Sequence, residues 1–127
     1  LKRVELPSTV KVIEAKAFAV CMNLEEVKLN DGLYCIENKA FESCSKLKKL
    51  VIPKSVRYMT SQSVFGSGGL EGIYFEGDAP ETFIYTDDTD SIFYIDPADV
   101  SYTIYYHKGA KGFTSPTWYD YPTQIIE

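Results

Sequence analysis

Apolar positions recur along the 127-residue chain with a period of 23 residues: Leu1, Leu24, Leu47 and Leu70 each open the same alternation. Every unit begins L-x-x-Φ-x-Φ, with Φ apolar: Leu1, Val4, Leu6; Leu24, Val27, Leu29; Leu47, Leu50, Ile52; and Leu70, Ile73, Phe75. Alternation predicts short strands, with Val4 and Leu6 on one face and Arg3 and Glu5 on the other. One such strand cannot bury its apolar face alone. Neighbouring units must therefore stack in register around a continuous core, with a parallel sheet along one side. The pattern predicts a solenoid of three units, 1–23, 24–46 and 47–69, and the first strand of a fourth.

Turn residues follow each strand at Pro7-Ser8-Thr9, Asn30-Asp31-Gly32 and Pro53-Lys54-Ser55, types that stop a ladder or tolerate tight bends. Apolar pairs three apart come next, Val10 and Ile13, Leu33 and Ile36, Val56 and Met59. We read them as a second extended column. The third signature is Ala17-Phe18 with Cys21, then Ala40-Phe41 with Cys44, a spacing that suits one turn of helix or 3₁₀. Phe18 and Phe41 should stack inside the core.

The composite L-x-x-Φ-x-Φ-P-x-x-Φ-x-x-I-x-x-x-A-F-x-x-C-x-x-L resembles the BspA-like class of leucine-rich repeat, which is found largely in bacterial surface and secreted proteins. Two units match almost throughout. The third departs, with Val64-Phe65 one residue later than the Ala-Phe pair and Gly68 in place of the cysteine, before Leu70 restores the register. A distorted turn is expected there. The resemblance covers residues 1 to about 75. More loosely, Phe75 to Pro80, Thr103 to Tyr106, Gly109, Gly112 and Trp118 are similar to the C-terminal ends of such arrays. The fold it implies is a right-handed leucine-rich repeat solenoid, β-rich with short helical or 3₁₀ turns, closed by an aromatic C-terminal β cap.

Composition separates the two parts. Residues 1–69 carry 11 Lys or Arg against 7 Asp or Glu, a net of +4, whereas residues 70–127 carry 2 against 11, a net of −9; together these give the −5 of the chain. Eight of the ten tyrosines and the only Trp lie in the second part. A solenoid needs a terminal unit that closes its apolar end and blunts its sheet edge, and aromatics with polar tips suit that half-wet position. Residues 1–75 therefore read as the repeat array and 76–127 as a capping segment of the same domain. Within the cap, Ser101 to Tyr106 and, more weakly, Tyr121 to Ile126 are strand candidates. Trp118 is expected to pack beneath the turns at Gly109, Gly112 and Pro116, and Thr86 to Asp90 reads as a polar loop.

At 45% hydrophobic residues the chain suffices for one packed domain. It has no run long enough for a transmembrane helix, so membrane insertion is not expected. Opening on a core leucine, it reads as a piece of a longer array. Cys21 and Cys44 hold equivalent positions, but three cysteines are an odd set and free thiols pack as small hydrophobes, so they are expected reduced. Three scattered Cys and one distant His lack the paired spacing of a zinc site. Asp87, Asp88 and Asp90, with Asp96 and Asp99, lack the EF-hand spacing, its Gly and its closing Glu, so a solvated loop is preferred over a calcium site. No cofactor is expected.

Catalysis finds no basis either. His107 is the only histidine, and no G-x-S-x-G elbow, P-loop or H-E-x-x-H is present. The acidic balance and interspersed signs disfavour nucleic acid. Leu6-Pro7-Ser8-Thr9 is similar to a cell-wall sorting signal, but Val10 stands where that signal needs Gly, and the turn recurs at Ile52-Pro53-Lys54-Ser55.

The outward face of the sheet remains, because a solenoid presents an extended recognition surface there. Its columns are Arg3, Glu26, Lys49, Gly72 and Glu5, Lys28, Val51, Tyr74. Neighbouring units alternate in sign, which places opposite charges about 4.8 Å apart across the sheet. Such a ladder also serves solubility and register alone. Val51 and Tyr74 beside Gly72 form an apolar, aromatic spot of the kind that anchors a partner. The expected site is therefore Arg3, Glu5, Glu26, Lys28, Lys49, Val51 and Tyr74. The resemblance implies a non-catalytic protein-binding or adhesion module, extracellular or on a cell surface, with a host or matrix protein as partner. The alternative is a structural spacer or a glycan-binding accessory region of a larger wall-associated protein.

Overall fold

The computed structural model describes residues 2–59, 61–64, 66–81, 102–119 and 121–127. The acidic residues Asp87, Asp88, Asp90, Asp96 and Asp99, the loop from Thr86 to Asp90, and Leu1 and Phe65 lie outside the described residues.

The alternating segments form the expected short strands: β1 (Arg3–Glu5), β3 (Glu26–Lys28), β5 (Lys49–Ile52) and β6 (Gly72–Phe75). The apolar pairs that follow give a second extended column, β2 (Val12–Ile13) and β4 (Cys35–Ile36). A parallel bridge from Cys35 to Tyr58 continues that column into the third unit. Stacking at a 23-residue offset is visible in the registers Val4↔Val27, Ile13↔Ile36 and Leu50↔Ile73. The result is a β-solenoid of about four turns, wound around one apolar core with almost no helix. Leu24, Leu47 and Leu70, the repeating first leucines, are fully buried. Removing each such side chain from water stabilises the fold by about 1.5–3 kcal/mol.

The third signature takes a form the spacing did not predict. In units one and two the Ala-Phe segments are irregular turns rather than helix, and a single 3₁₀ turn appears in unit three, at Ser61–Val64. Left-handed backbone makes the bends, at Lys16 (φ 64°), Val20 (58°), Lys39 (63°) and Ser43 (58°). These positions repeat at 23 residues, and Gly66 (φ 77°) holds the column of Val20 and Ser43. Phe18 and Phe41 stack as expected, 5.3 Å between centroids and 6° between planes.

The third unit also keeps its register where a one-residue slip was expected. The Phe18 amide donates to the Ala40 carbonyl and, one unit on, the Phe41 amide donates to Ser63. Ser63-Val64 thus occupies the Ala-Phe position. Ser67, not Gly68, fills the cysteine column. Cys44 Sγ donates to the Phe18 carbonyl at 3.1 Å, and Ser67 Oγ donates to the Phe41 carbonyl at 2.7 Å. Thiol and hydroxyl perform the same task, satisfying a buried carbonyl of the preceding turn.

Beyond the repeats, β7 (Thr103–His107) joins β6 in parallel, and β9 (Tyr121–Ile126) joins β7. A short β8 (Thr117–Trp118) pairs antiparallel with β9, so this sheet runs β5-β6-β7-β9-β8. The weaker strand candidate is thus the longest strand described. Under the sheet, Phe113 lies 4.7 Å from Tyr106, 4.8 Å from Trp118 and 5.2 Å from Phe75. Trp118 packs against these rings and is buried.

The first-strand sheet is not continuous. β1 pairs with β3, and β5 starts the five-stranded sheet, but among the described residues no ladder joins β3 to β5.

Candidate partner-binding face

The seven expected site residues fall on two sheets. Arg3, Glu5, Glu26 and Lys28 project from the β1–β3 pair, where Arg3 faces Glu26 and Glu5 faces Lys28. Arg3 Nε reaches Glu26 Oε2 at 3.1 Å, with both side chains largely in solvent. That exposure limits the pair to at most about 1 kcal/mol. Lys49, Val51 and Tyr74 project from the β5–β6 pair, with Lys49 opposite Gly72 and Val51 opposite Tyr74. The expected neighbours Glu26 and Lys49, and Lys28 and Val51, are not paired, because the ladder is open between β3 and β5. Lys49 turns instead to the aromatic side, its Nζ 4.6 Å from the centroid of the Tyr74 ring.

Tyr74 is the centre of the second group. Its ring stacks on Tyr105 at 4.3 Å and 4°, the two residues being opposite one another on β6 and β7. Both rings lean over Gly72. A Cβ on that residue would lie 2.8 Å from Tyr74 Cε1 and 2.9 Å from Tyr105 Cε2, so the absence of a side chain lets the rings lie down. Burial, and then the neighbouring Tyr105, push the Tyr74 hydroxyl above its ordinary pKa. The face therefore offers a half-buried pair of parallel rings with a lysine on one side. Gln124, opposite Tyr105 on β9, carries the column onward.

Sequence reasoning missed Tyr105. Thr103 to Tyr106 alternates, and that alternation would have put Tyr105 outward, but nothing in the 23-residue period joins that strand to Tyr74.

The second column carries another aromatic contact. Tyr34 and Tyr58 meet edge-on at 5.1 Å, and hydrogen bonding with Tyr34 and with Glu81 pushes the Tyr58 hydroxyl up to about 12. Cys21, Cys35 and Cys44 are free thiols. Burial raises the pKa of Cys44, and burial followed by the Glu37 charge raises that of Cys35. Such thiols are poor nucleophiles at neutral pH. His107 ends β7 opposite Ile126. Among the described residues no cluster of three His, Cys, Asp or Glu is placed to hold a metal ion.

Stacked short strands, a leucine core and an outward sheet face define a leucine-rich repeat scaffold. Residues 1–86 match the BspA type leucine-rich repeat region in six copies, and the chain belongs to that family. The match runs past the 75 residues that the motif covers by eye. No curated protein and no solved structure matches the chain. Members of this family are generally repeat modules for protein interaction or surface association, built on a scaffold that is typically non-catalytic. No helix among the described residues is long and apolar enough to cross a membrane.

Proposed function

We propose that this chain is a non-catalytic protein-binding module of a secreted or cell-surface bacterial protein, and that it takes its partner on the sheet face. The observation that carries this reading is the Tyr74–Tyr105 stack over Gly72, with Lys49 against it. Tyrosine combines large contact area with few rotatable bonds and dominates binding hot spots. Two rings already packed together lose little further freedom on binding. Val51 extends the apolar spot, and Arg3, Glu5, Glu26 and Lys28 form a polar flank that suits orientation and association rate more than affinity. Residues 1–75 act as the array and 76–127 as its closing segment, in which the rings around Phe113 cover the last turn.

The test is binding of the fragment to immobilised extracellular matrix proteins and glycans, beside a Tyr74→Ala, Lys28→Glu double variant. Saturable protein binding that weakens by at least about 30-fold in the variant, roughly 2 kcal/mol, is expected. Binding to protein that the variant leaves unchanged would remove the sheet face as the site. A signal confined to glycans would replace the protein partner with a sugar, and silence throughout would favour a spacer.

A further inference from the structure

The continuous sheet face that the repeat calls for is split between units two and three. Units one and two are joined there by the Leu6 amide on the Lys28 carbonyl at 3.0 Å and the Glu26 amide on Lys2 at 3.2 Å. Carried forward by one 23-residue period, the same bonds run from the Leu29 amide to Val51 and from the Lys49 amide to Glu25. Among the described residues neither is made. Yet β3 and β5 hold Cα atoms within 8 Å of each other, and Val27 and Leu50 are both buried in the common core. Paired strands lie about 4.8 Å apart, so a shift of about 3 Å or less closes the ladder.

The other two sides hold. In the second column the Ile36 amide donates to the Tyr58 carbonyl at 2.8 Å and the Arg57 amide to Tyr34 at 3.0 Å. On the third side the Phe41 amide reaches Ser63 at 2.8 Å, and the Cys44 amide reaches Ser67 Oγ at 3.0 Å. A joint fastened on two sides and free on the third has one easy motion, rotation about the fastened line, which opens and closes the sheet face.

The turns show what holds β3 back. Asn30, just past β3, donates from Nδ2 to the Val10 carbonyl at 2.8 Å and to the Ser8 carbonyl at 3.4 Å, tying the end of that strand to unit one. The equivalent carbonyl of unit two, on Leu33, is taken at 2.7 Å by Ser55 Oγ, further along its own turn. Pro53 holds the place of Asn30 and has no donor. Asn30 is moreover buried, with its Oδ1 lacking a hydrogen-bond partner among the described residues. Proline, found at that place in units one and three, carries no such cost. Unit two thus gives up stability for a tie that unit three lacks.

We propose that the β3–β5 seam is a hinge, about which units one and two rock against the rest of the solenoid. The proposal rests on the sheet-face reading and adds how that face adapts. Arg3, Glu5, Glu26 and Lys28 ride on one side of the hinge, and Lys49, Val51 and Tyr74 on the other. Closure brings the polar flank toward the aromatic anchor and opening spreads them, so the spacing that a partner meets is adjustable. A cleft of about 380 Å³, lined by Glu26, Lys28, Lys49 and Val51 among others, marks the open arrangement.

Relaxation dispersion of the backbone amides in the free protein tests this, because hinge motions fall on the microsecond to millisecond scale. The amides of residues 25–29 and 48–52 should share one exchange process that is absent from β6 and β7. Pro53→Asn, which restores the donor that Asn30 supplies one unit earlier, should shift the population toward the closed ladder. Hydrogen exchange of the Leu29 and Lys49 amides should then slow at least about tenfold. Flat dispersion across the seam, or the same process throughout β6 and β7, would overturn the hinge whether or not the variant folds. A folded Pro53→Asn protein whose Leu29 and Lys49 amides exchange as fast as before would overturn it too. Those results leave the tyrosine pair untouched, whereas loss of all protein binding on the matrix panel removes the sheet-face reading without altering the exchange process.

Discussion

Val20 is the residue most at odds with its backbone. It sits at φ 58° with its side chain largely in solvent, in the column where unit two has Ser43 and unit three has Gly66. Left-handed backbone costs an L-residue about 1–2 kcal/mol, and a β-branched side chain is the least tolerant. Glycine carries no such cost there but has more freedom to lose on folding. Val20→Gly should therefore raise stability by a net amount of about 0.5–1 kcal/mol, seen as a higher urea midpoint with an unchanged slope. Nothing in the linear sequence marks Val20 as strained, since its repeat partners differ in type and only the fold shows that they share one conformation.

Tyr58 carries a second residue-scale prediction. Its folded pKa, about 12, exceeds the ordinary 10 because the neutral hydroxyl bonds Tyr34 and lies beside Glu81. A raised pKa means that the folded state holds the proton more tightly. The associated stabilisation is complete below pH 10 and is lost as pH rises toward 12. Near-ultraviolet titration of the wild type against Tyr58→Phe should isolate a late ionisation belonging to Tyr58, and Glu81→Gln should bring that step down. A Tyr58 that titrates with the exposed tyrosines would show that those contacts do not form.

Among the elements, the ladder rungs inside the solenoid were the part most legible beforehand. The strand leucines, the second column and the Phe18–Phe41 stack all followed from a 23-residue period. The cysteine column did not, because pattern matching treats Ser67 and Cys44 as unlike residues. Physically both are short side chains with one donor aimed at a carbonyl. Ser67 adds an accepted bond from the Cys44 amide at 3.0 Å. Ser67→Ala should leave that amide and the Phe41 carbonyl buried without partners, costing about 1–3 kcal/mol. Ser67→Cys should recover part of the loss by restoring the donor used in unit two. Equal stability of the alanine and wild-type proteins in chemical denaturation would refute this role.

The strands beyond the repeats escaped the period for a geometrical reason. Gly72 pairs with Thr103, 31 positions on, and Ile104 with Thr123, 19 positions on. Neither offset is 23, so the sheet-face column could be followed from Glu5 to Tyr74 and no further. Half of the tyrosine pair was accordingly visible in the sequence. The seam between β3 and β5 was invisible, because the opening strands on both sides of it, Leu24, Val27, Leu29 and Leu47, Leu50, Ile52, carry the same pattern.

On the scale of the whole molecule, the array sorts its chemistry by position along its axis. The N-terminal turns present interspersed charge, the seam follows, and the tyrosine pair lies on the far side, where the chain turns strongly acidic. A partner that spans this face would meet the polar flank and then the aromatic anchor. Affinity should reside in the anchor, and charge substitutions near Arg3 should act mainly on the association rate.

The most direct measurement is the affinity of Gly72→Ser for a matrix protein that the wild-type chain retains. A Cβ at that position must push the Tyr74 and Tyr105 rings off their bed, while the swing of two ring ends leaves the leucine core in place. At least about tenfold weaker binding is expected, about 1.4 kcal/mol, with a urea midpoint close to that of the wild type. Unchanged affinity in a variant whose tyrosine fluorescence shows the rings displaced would contradict the sheet-face anchor, as would the absence of any matrix protein that the wild-type chain retains.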